Sequence, residues 1–120
     1  MAVQKFTDLN AWQESHNLAL NIYRITDLFP KKETFGLSSQ MQRCAVSVSS
    51  NIAEGFNRFS KKEKAQFYSI ALGSVSELQS QLLLAKDLNY ASQEDCNQLL
   101  GDIETVRKLI TGLSKSSKHQ

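Results

Sequence analysis

The chain has 120 residues, 41% of them hydrophobic and 22% charged, with one proline, two cysteines and a net charge of +2. This is one domain's worth of chain with an ordinary globular composition, which excludes intrinsic disorder. No apolar run approaches the ~20 residues of a membrane span, and the opening stretch MAVQKFTDLNAWQE lacks the apolar centre of a signal peptide. Cys44 and Cys96 stand at no metal-binding spacing and read as reduced thiols of a cytoplasmic protein.

The first predicted helix covers about 8–29 and stops at Pro30, the only proline. At helical spacing Leu9, Trp12, His16, Leu20 and Tyr23 form one stripe, and Leu18, Ile22, Ile25 and Phe29 a second. Together they span roughly 220°, about twice the arc that one bundle face needs. His16 lies on the Trp12/Tyr23 stripe and reads as a packed or interface histidine. The second helix, about 34–55, carries Leu37, Met41, Cys44, Val48 and Ile52 at 3–4 spacing. Ala45, Ser47, Ser49, Ser50 and Ala53 make it thin, and Gly55 is a candidate stop.

The third helix, about 60–88, opens on the capping box Ser60-Lys61-Lys62-Glu63, with Asn89 available as a left-handed cap. Its apolar residues, from Phe67 and Ile70 to Leu84 and Leu88, again exceed one face. The fourth, about 92–113, opens on Ser92-Gln93-Glu94-Asp95 and keeps a 4-3-4-3 stripe from Leu99 to Leu113. A polar tail, 114–120, follows and is expected to fray. Short connections make neighbours antiparallel, so the expected fold is all-α, an up-down-up-down four-helix bundle. The surplus apolar arcs on the first and third helices predict a homo-oligomer.

Catalytic and metal chemistry find no support in the chain. A di-iron bundle needs Glu-x-x-His pairs, and neither His16 nor His119 follows a glutamate by three. No zinc spacing and no phosphate-cradling glycine loop is present. The expectation is therefore a non-enzymatic protein with no catalytic residue, no metal and no cofactor. Asn51, Glu54 and Glu77 sit on otherwise apolar stretches. They read as structural groups that fix register, the carboxylates bonding Arg43 or Arg58 or capping backbone.

Charge is the informative feature once the chain is folded in outline. One pole gathers residues 1–18, 46–73 and 105–120, with nine basic against four acidic residues, a net of +5. The other pole, with five against eight, carries −3. Cations at the end of the fourth helix complement its dipole, which accounts for Arg107, Lys108 and Lys115. The same rule disfavours Lys61, Lys62 and Lys64 at the start of the third. Arg58, Lys61, Lys62 and Lys64, supported by Lys115 and Lys118, are thus candidate phosphate contacts. Phe59 is a candidate stacking group for single-stranded bases, whereas Phe56 reads as core.

Several strings carry a family resemblance: Phe6-Thr-Asp-Leu-Asn-Ala-Trp12-Gln, Phe29-Pro30, Phe35-Gly36-Leu37-Ser-Ser-Gln40, Ser50-Asn51-Ile52-Ala53-Glu54-Gly55 and Ile70-Ala71-Leu72-Gly73-Ser74-Val-Ser-Glu77-Leu78. From Phe6 to about Leu113 the chain resembles the four-helix bundle family also called the 23S rRNA intervening sequence proteins. It departs at Cys44, where that family usually has a small apolar residue. The resemblance implies an up-and-down bundle that assembles as a ring-shaped homopentamer, with no established enzyme activity. It extends to the accessory variability protein of diversity-generating retroelements, which binds a reverse transcriptase and nucleic acid. The expected partners are therefore further copies of the chain, and RNA, DNA or a ribonucleoprotein at the basic pole. The alternative is a protein–protein adaptor, for example an accessory subunit of a reverse transcriptase, with no direct nucleic-acid role.

Overall fold

The computed structural model describes residues 2–118, with side chains through 116. Four helices make up the fold: α1 (Asn10–Thr26), α2 (Leu37–Phe56), α3 (Lys61–Asp87) and α4 (Gln93–Lys118). No strand occurs among the described residues, and no helix there is long and apolar enough to cross a membrane.

Local chemistry sets the helix ends, and it moves several of them from where periodicity alone puts them. The chain enters through a short 3-10 turn, Phe6–Asp8, in which the Asp8 carboxylate accepts the N–H groups of Gln4 and Lys5 at 3.1 and 3.0 Å. Those two bonds, Gln4 foremost, hold the Asp8 carboxyl below its usual range. Helix α1 ends at Thr26, three residues before the predicted Phe29. Leu28 and Phe29 instead donate to Ile25 and Thr26, a tightening that brings the chain into the extended approach Pro30 requires.

Helix α2 starts at Leu37, three residues later than predicted. Residues Lys31–Glu33 form a second 3-10 turn, and Glu33 reaches forward to accept the Leu37 N–H at 3.1 Å. Glu33 also accepts the Tyr90 hydroxyl at 2.7 Å, so one carboxylate ties the α1–α2 connection to the α3–α4 connection. These bonds, Tyr90 first, keep its pKa below the ordinary value. Gly36 makes the arrangement possible: a Cβ there would stand 2.7 Å from Glu33 Oε1.

Ser60 caps α3 by accepting the Glu63 N–H at 3.1 Å, one half of the predicted capping box. At its other end Asn89 adopts φ 59°, with Tyr90 N–H on the Ala85 carbonyl and Asn89 N–H on that of Lys86. That is a Schellman closure. Ser92 caps α4 through the Asp95 N–H at 3.0 Å. The predicted frayed tail is helical through Lys118, whereas His119 and Gln120 lie outside the described residues. Periodicity missed this extension because serines and lysines carry no apolar stripe, yet lysine is a good helix former on a surface.

Cross-helix bonds fix direction. Ser47 bonds Ser74 (2.9 Å) while Cys44 reaches Glu77; Lys86 bonds Asn97 (2.8 Å) while Arg107 bonds Ser76 (3.1 Å). Numbers fall along one helix as they rise along its neighbour, so α2/α3 and α3/α4 are antiparallel. Helix α1 packs against both α2 and α4 and closes the bundle. Ile22, Met41, Val48, Ile52, Val75, Leu78, Leu82, Ile103 and Ile110 are fully buried between them. Of the two stripes on the first helix, one enters this core, while the other gives it only Leu9 and Trp12, partly buried against its edge. Leu18, Ile22, Ile25 and Phe29 are buried, whereas His16, Leu20 and Tyr23 face outward, with His16 stacked on Trp12 at 4.7 Å. On α3, Ile70, Leu83, Leu84 and Leu88 are likewise exposed.

Gly55, predicted as the stop of α2, lies inside it and is buried; the helix ends at Phe56 with Asn57 as its cap. Its role is close packing. A Cβ would lie 2.7 Å from Cε1 of Tyr68 and 3.0 Å from Phe67 Cβ. Tyr68 is fully buried and cannot yield. Replacing a helical glycine by alanine gains up to about 1 kcal/mol of propensity, but overpacking a rigid core costs about 1–3 kcal/mol. Gly55→Ala is therefore expected to lower the urea midpoint. An unchanged or raised midpoint would show that Tyr68 has room to move.

Candidate nucleic-acid interface

The basic pole is built where α2 ends and α3 begins, across the tight connection Asn57–Ser60. The last carbonyls of α2 have no partner within the helix. Lys64 supplies one: its Nζ donates to the Phe56 carbonyl at 2.7 Å and to that of Gly55 at 3.3 Å, while lying 5.3 Å over the Phe56 ring. Arg58 pairs with Glu54 at 3.0 Å, both partly in solvent, and its guanidinium lies 4.6 Å above the Phe67 ring. Exposed pairs of this kind contribute little, so Arg58 is positioned rather than buried.

Lys61 and Lys62 differ. Both occupy the first turn of α3, both are exposed, and neither has a bonded partner among the described residues. Phe59, between Arg58 and these lysines, is fully exposed at 102%. Phe56 is half-buried beneath Lys64. Lys115 is exposed in the last turns of α4, and the register that sets Arg107 against Ser76 brings it roughly level with Tyr68. The side chain of Lys118 lies outside the described residues. Of the predicted contacts, the fold thus gathers Arg58, Phe59, Lys61, Lys62 and Lys64 at one tip, with Lys115 farther along the adjacent helix.

The predicted register groups separate into two kinds. Asn51 donates to the carbonyl and hydroxyl of Ser47 at 2.8 and 3.1 Å, inside the α2–α3 seam, and Glu54 pairs with Arg58. Glu54 and Glu77 are both exposed, so neither carries the burial penalty that their apolar neighbours in sequence suggest. Arg43 and Glu77 line one shallow cavity of about 260 Å³ with Cys44, Ser47 and Ser74, yet form no ion pair. Between α1 and α4 runs a second groove, lined by Asn21, Arg24, Gln98 and Asp102 among others. No group of three or more metal-ligating side chains occurs among the described residues.

One polar tip escaped the sequence reading. Phe35, in the connection before α2, is 96% exposed at the opposite pole, close in sequence to Lys31 and Lys32. Nothing in its sequence context separates it from a core phenylalanine. Only the displacement of the α2 start to Leu37, which leaves Phe35 in the connection, accounts for its exposure.

A family model for the 23S rRNA-intervening sequence protein matches residues 7–112. Among solved structures the fold is similar to a protein of unknown function from the S23 ribosomal protein family of Bacteroides thetaiotaomicron. The two are 24% identical with a TM-score of 0.80, over 88% of this chain and 95% of that one. None of the curated proteins matches the chain.

Both thiols are buried. Burial, and then the Glu77 carboxylate, push the Cys44 pKa up to about 12, and burial raises that of Cys96. At pH 8 Cys44 is therefore held as the neutral thiol. Cys44 instead donates its S–H to the Ser74 carbonyl at 3.0 Å, a packing role. Ellman's reagent is expected to label neither cysteine rapidly in the native protein and both after unfolding in guanidinium. Rapid labelling of one equivalent under native conditions contradicts this.

Proposed function

The chain belongs to the 23S rRNA-intervening sequence protein family, and from that footing we propose a non-enzymatic, cytoplasmic protein. It self-associates through the outward faces of α1 and α3 and contacts RNA or a ribonucleoprotein through its basic pole. The observation that carries the RNA reading is the pair Lys61 and Lys62. Each cation at a helix N-terminus opposes the dipole by about 0.3–1 kcal/mol, and neither has a bonded partner among the described residues that offsets it. Phosphate is the partner such a tip fits, and the +5 of the surrounding pole draws it in.

Self-association rests on Leu20 and Tyr23 of α1 and on Ile70, Leu83, Leu84 and Leu88 of α3, all exposed. The ring is the assembly in which these lateral faces cover one another and the basic poles align, five copies in the form that the family resemblance implies. Each copy then adds its charge to one rim.

Two measurements test the reading. Filter binding of a structured RNA across a salt series is expected to show log affinity falling linearly with log salt. Lys61→Glu/Lys62→Glu should weaken binding and flatten the slope. Affinity that ignores salt, or survives the double reversal unchanged, sinks the RNA reading. For the assembly, light scattering should give a multiple of the 13.5 kDa chain mass, and Leu20→Glu/Tyr23→Glu should return it to the monomer. A monomeric wild-type protein overturns the assembly.

A further inference from the structure

Phe59 exposes its whole ring to solvent, without a contact from its own chain. A phenylalanine normally buries some 150–250 Å², so such a ring is placed for something outside the protomer. Its surroundings narrow the choice. Arg58, Lys61 and Lys62 flank it in sequence, and lysines are depleted from the dry centres of protein interfaces because they must be dehydrated there. The tip also lies at the end of the bundle; of the exposed apolar residues of α3 only Ile70 comes near it, sharing a shallow cavity with Lys62, while Leu83, Leu84 and Leu88 lie toward the other end. A nucleobase suits both features at once: the ring takes its π-face, and the cations remain wet on the flanking phosphates.

Duplex RNA does not fit the ring. Its bases are already stacked on one another, and its major groove is too narrow and deep for side chains to enter. We propose that the tip Asn57–Lys62 captures unpaired RNA, with one base of a single strand stacked on Phe59 and the adjoining phosphates on Lys61 and Lys62. This rests on the RNA reading above and narrows it to single-stranded segments. The molecule carries its own control at the opposite pole. Phe35 is nearly as exposed and stands near Lys31 and Lys32, but that pole is net −3. Stacking there lacks the attractive field that brings a polyanion in.

The test compares a labelled oligouridine decamer with a blunt RNA duplex of the same strand length. Phe59→Ala removes no internal contact and is expected to fold as the wild type does. It should weaken oligouridine binding about 5- to 150-fold, the measured range for one stacked base, and leave duplex binding and the salt slope alone. Phe59→Trp should restore tight binding and show emission quenched by oligouridine, and Phe35→Ala should behave as wild type. Lys61→Glu/Lys62→Glu should weaken both RNAs and lower the single-strand slope by about 1.4, two phosphate contacts' worth. If Phe59→Ala binds oligouridine as tightly as wild type, or loses both RNAs equally, the stacking role is overturned while the basic-pole reading stands. If the wild-type protein binds neither RNA, both fall.

Discussion

The close approach of α2 and α3 is the constraint on which the rest depends. Three small contacts set it: the absent side chain of Gly55 against the Tyr68 ring, the Ser47–Ser74 hydroxyl pair, and the Cys44 thiol on the Ser74 carbonyl. Each places polar or minimal groups where bulky ones would hold the helices apart. The seam has to stay close to its end because the connection from Asn57 to Ser60 is short. That brevity brings the last carbonyls of α2 within reach of Lys64, which closes them. The same turn leaves Phe59 with no surface to lie on. Packing in the middle of the bundle thus determines what its end presents.

A four-helix bundle has one interior, and each helix can give it one face. Helix α1 carries apolar residues on about twice that arc, and those of α3 also exceed one face. The outcome on α1 is decided by geometry more than by hydrophobicity: Ile22 and Ile25 enter the core, whereas Leu20, just as apolar, does not. Exposed leucines singly are ordinary. Stripes on two helices are not single residues, and they are the surface that the proposed self-association would cover.

Periodicity made the four helices legible: the 3–4 spacing from Leu37 to Ile52 runs unbroken on both sides of the strand-like alternation Val46-Ser47-Val48-Ser49 and outweighs it, and that from Leu99 to Leu113 is continuous. Capping chemistry made some ends legible, at Ser60, Asn89 and Ser92. The end of α1 and the extension of α4 escaped for local reasons, a tightened turn before Pro30 and a tail without an apolar stripe, whereas the start of α2 escaped because it depends on a contact distant in sequence. Helix α2 begins at Leu37 because Glu33 caps it, and Glu33 is held there by Tyr90 from the α3–α4 connection. Gly55 read as a stop because glycine usually is one; its partner Tyr68 lies on another helix. The basic pole was legible as a sum of charges but not as a site. Arg58 and Lys64 count the same as Lys61 and Lys62 in sequence, yet the fold occupies the first two with Glu54, Phe67 and the α2 carbonyls.

Local motif and candidate site therefore come apart in this molecule. Lysine pairs with a nearby exposed phenylalanine occur twice, at Phe35 and at Phe59, and composition cannot rank them. What distinguishes them is the set of neighbours that antiparallel packing supplies. The pole that bears Phe59 holds the end of α2, the start of α3 and the last turns of α4, with basic residues in excess. The pole that bears Phe35 holds the end of α3 and the start of α4, tied to the α1–α2 connection by the Glu33–Tyr90 bond, with Asp87, Glu94 and Asp95. A field that extends over a Debye length of about 8 Å in physiological salt integrates over such neighbours. Each tip's sign is thus set by helices distant from it in sequence. The near-zero net charge of the chain is the sum of two poles, and the bundle's alternating helix direction keeps them from cancelling in space.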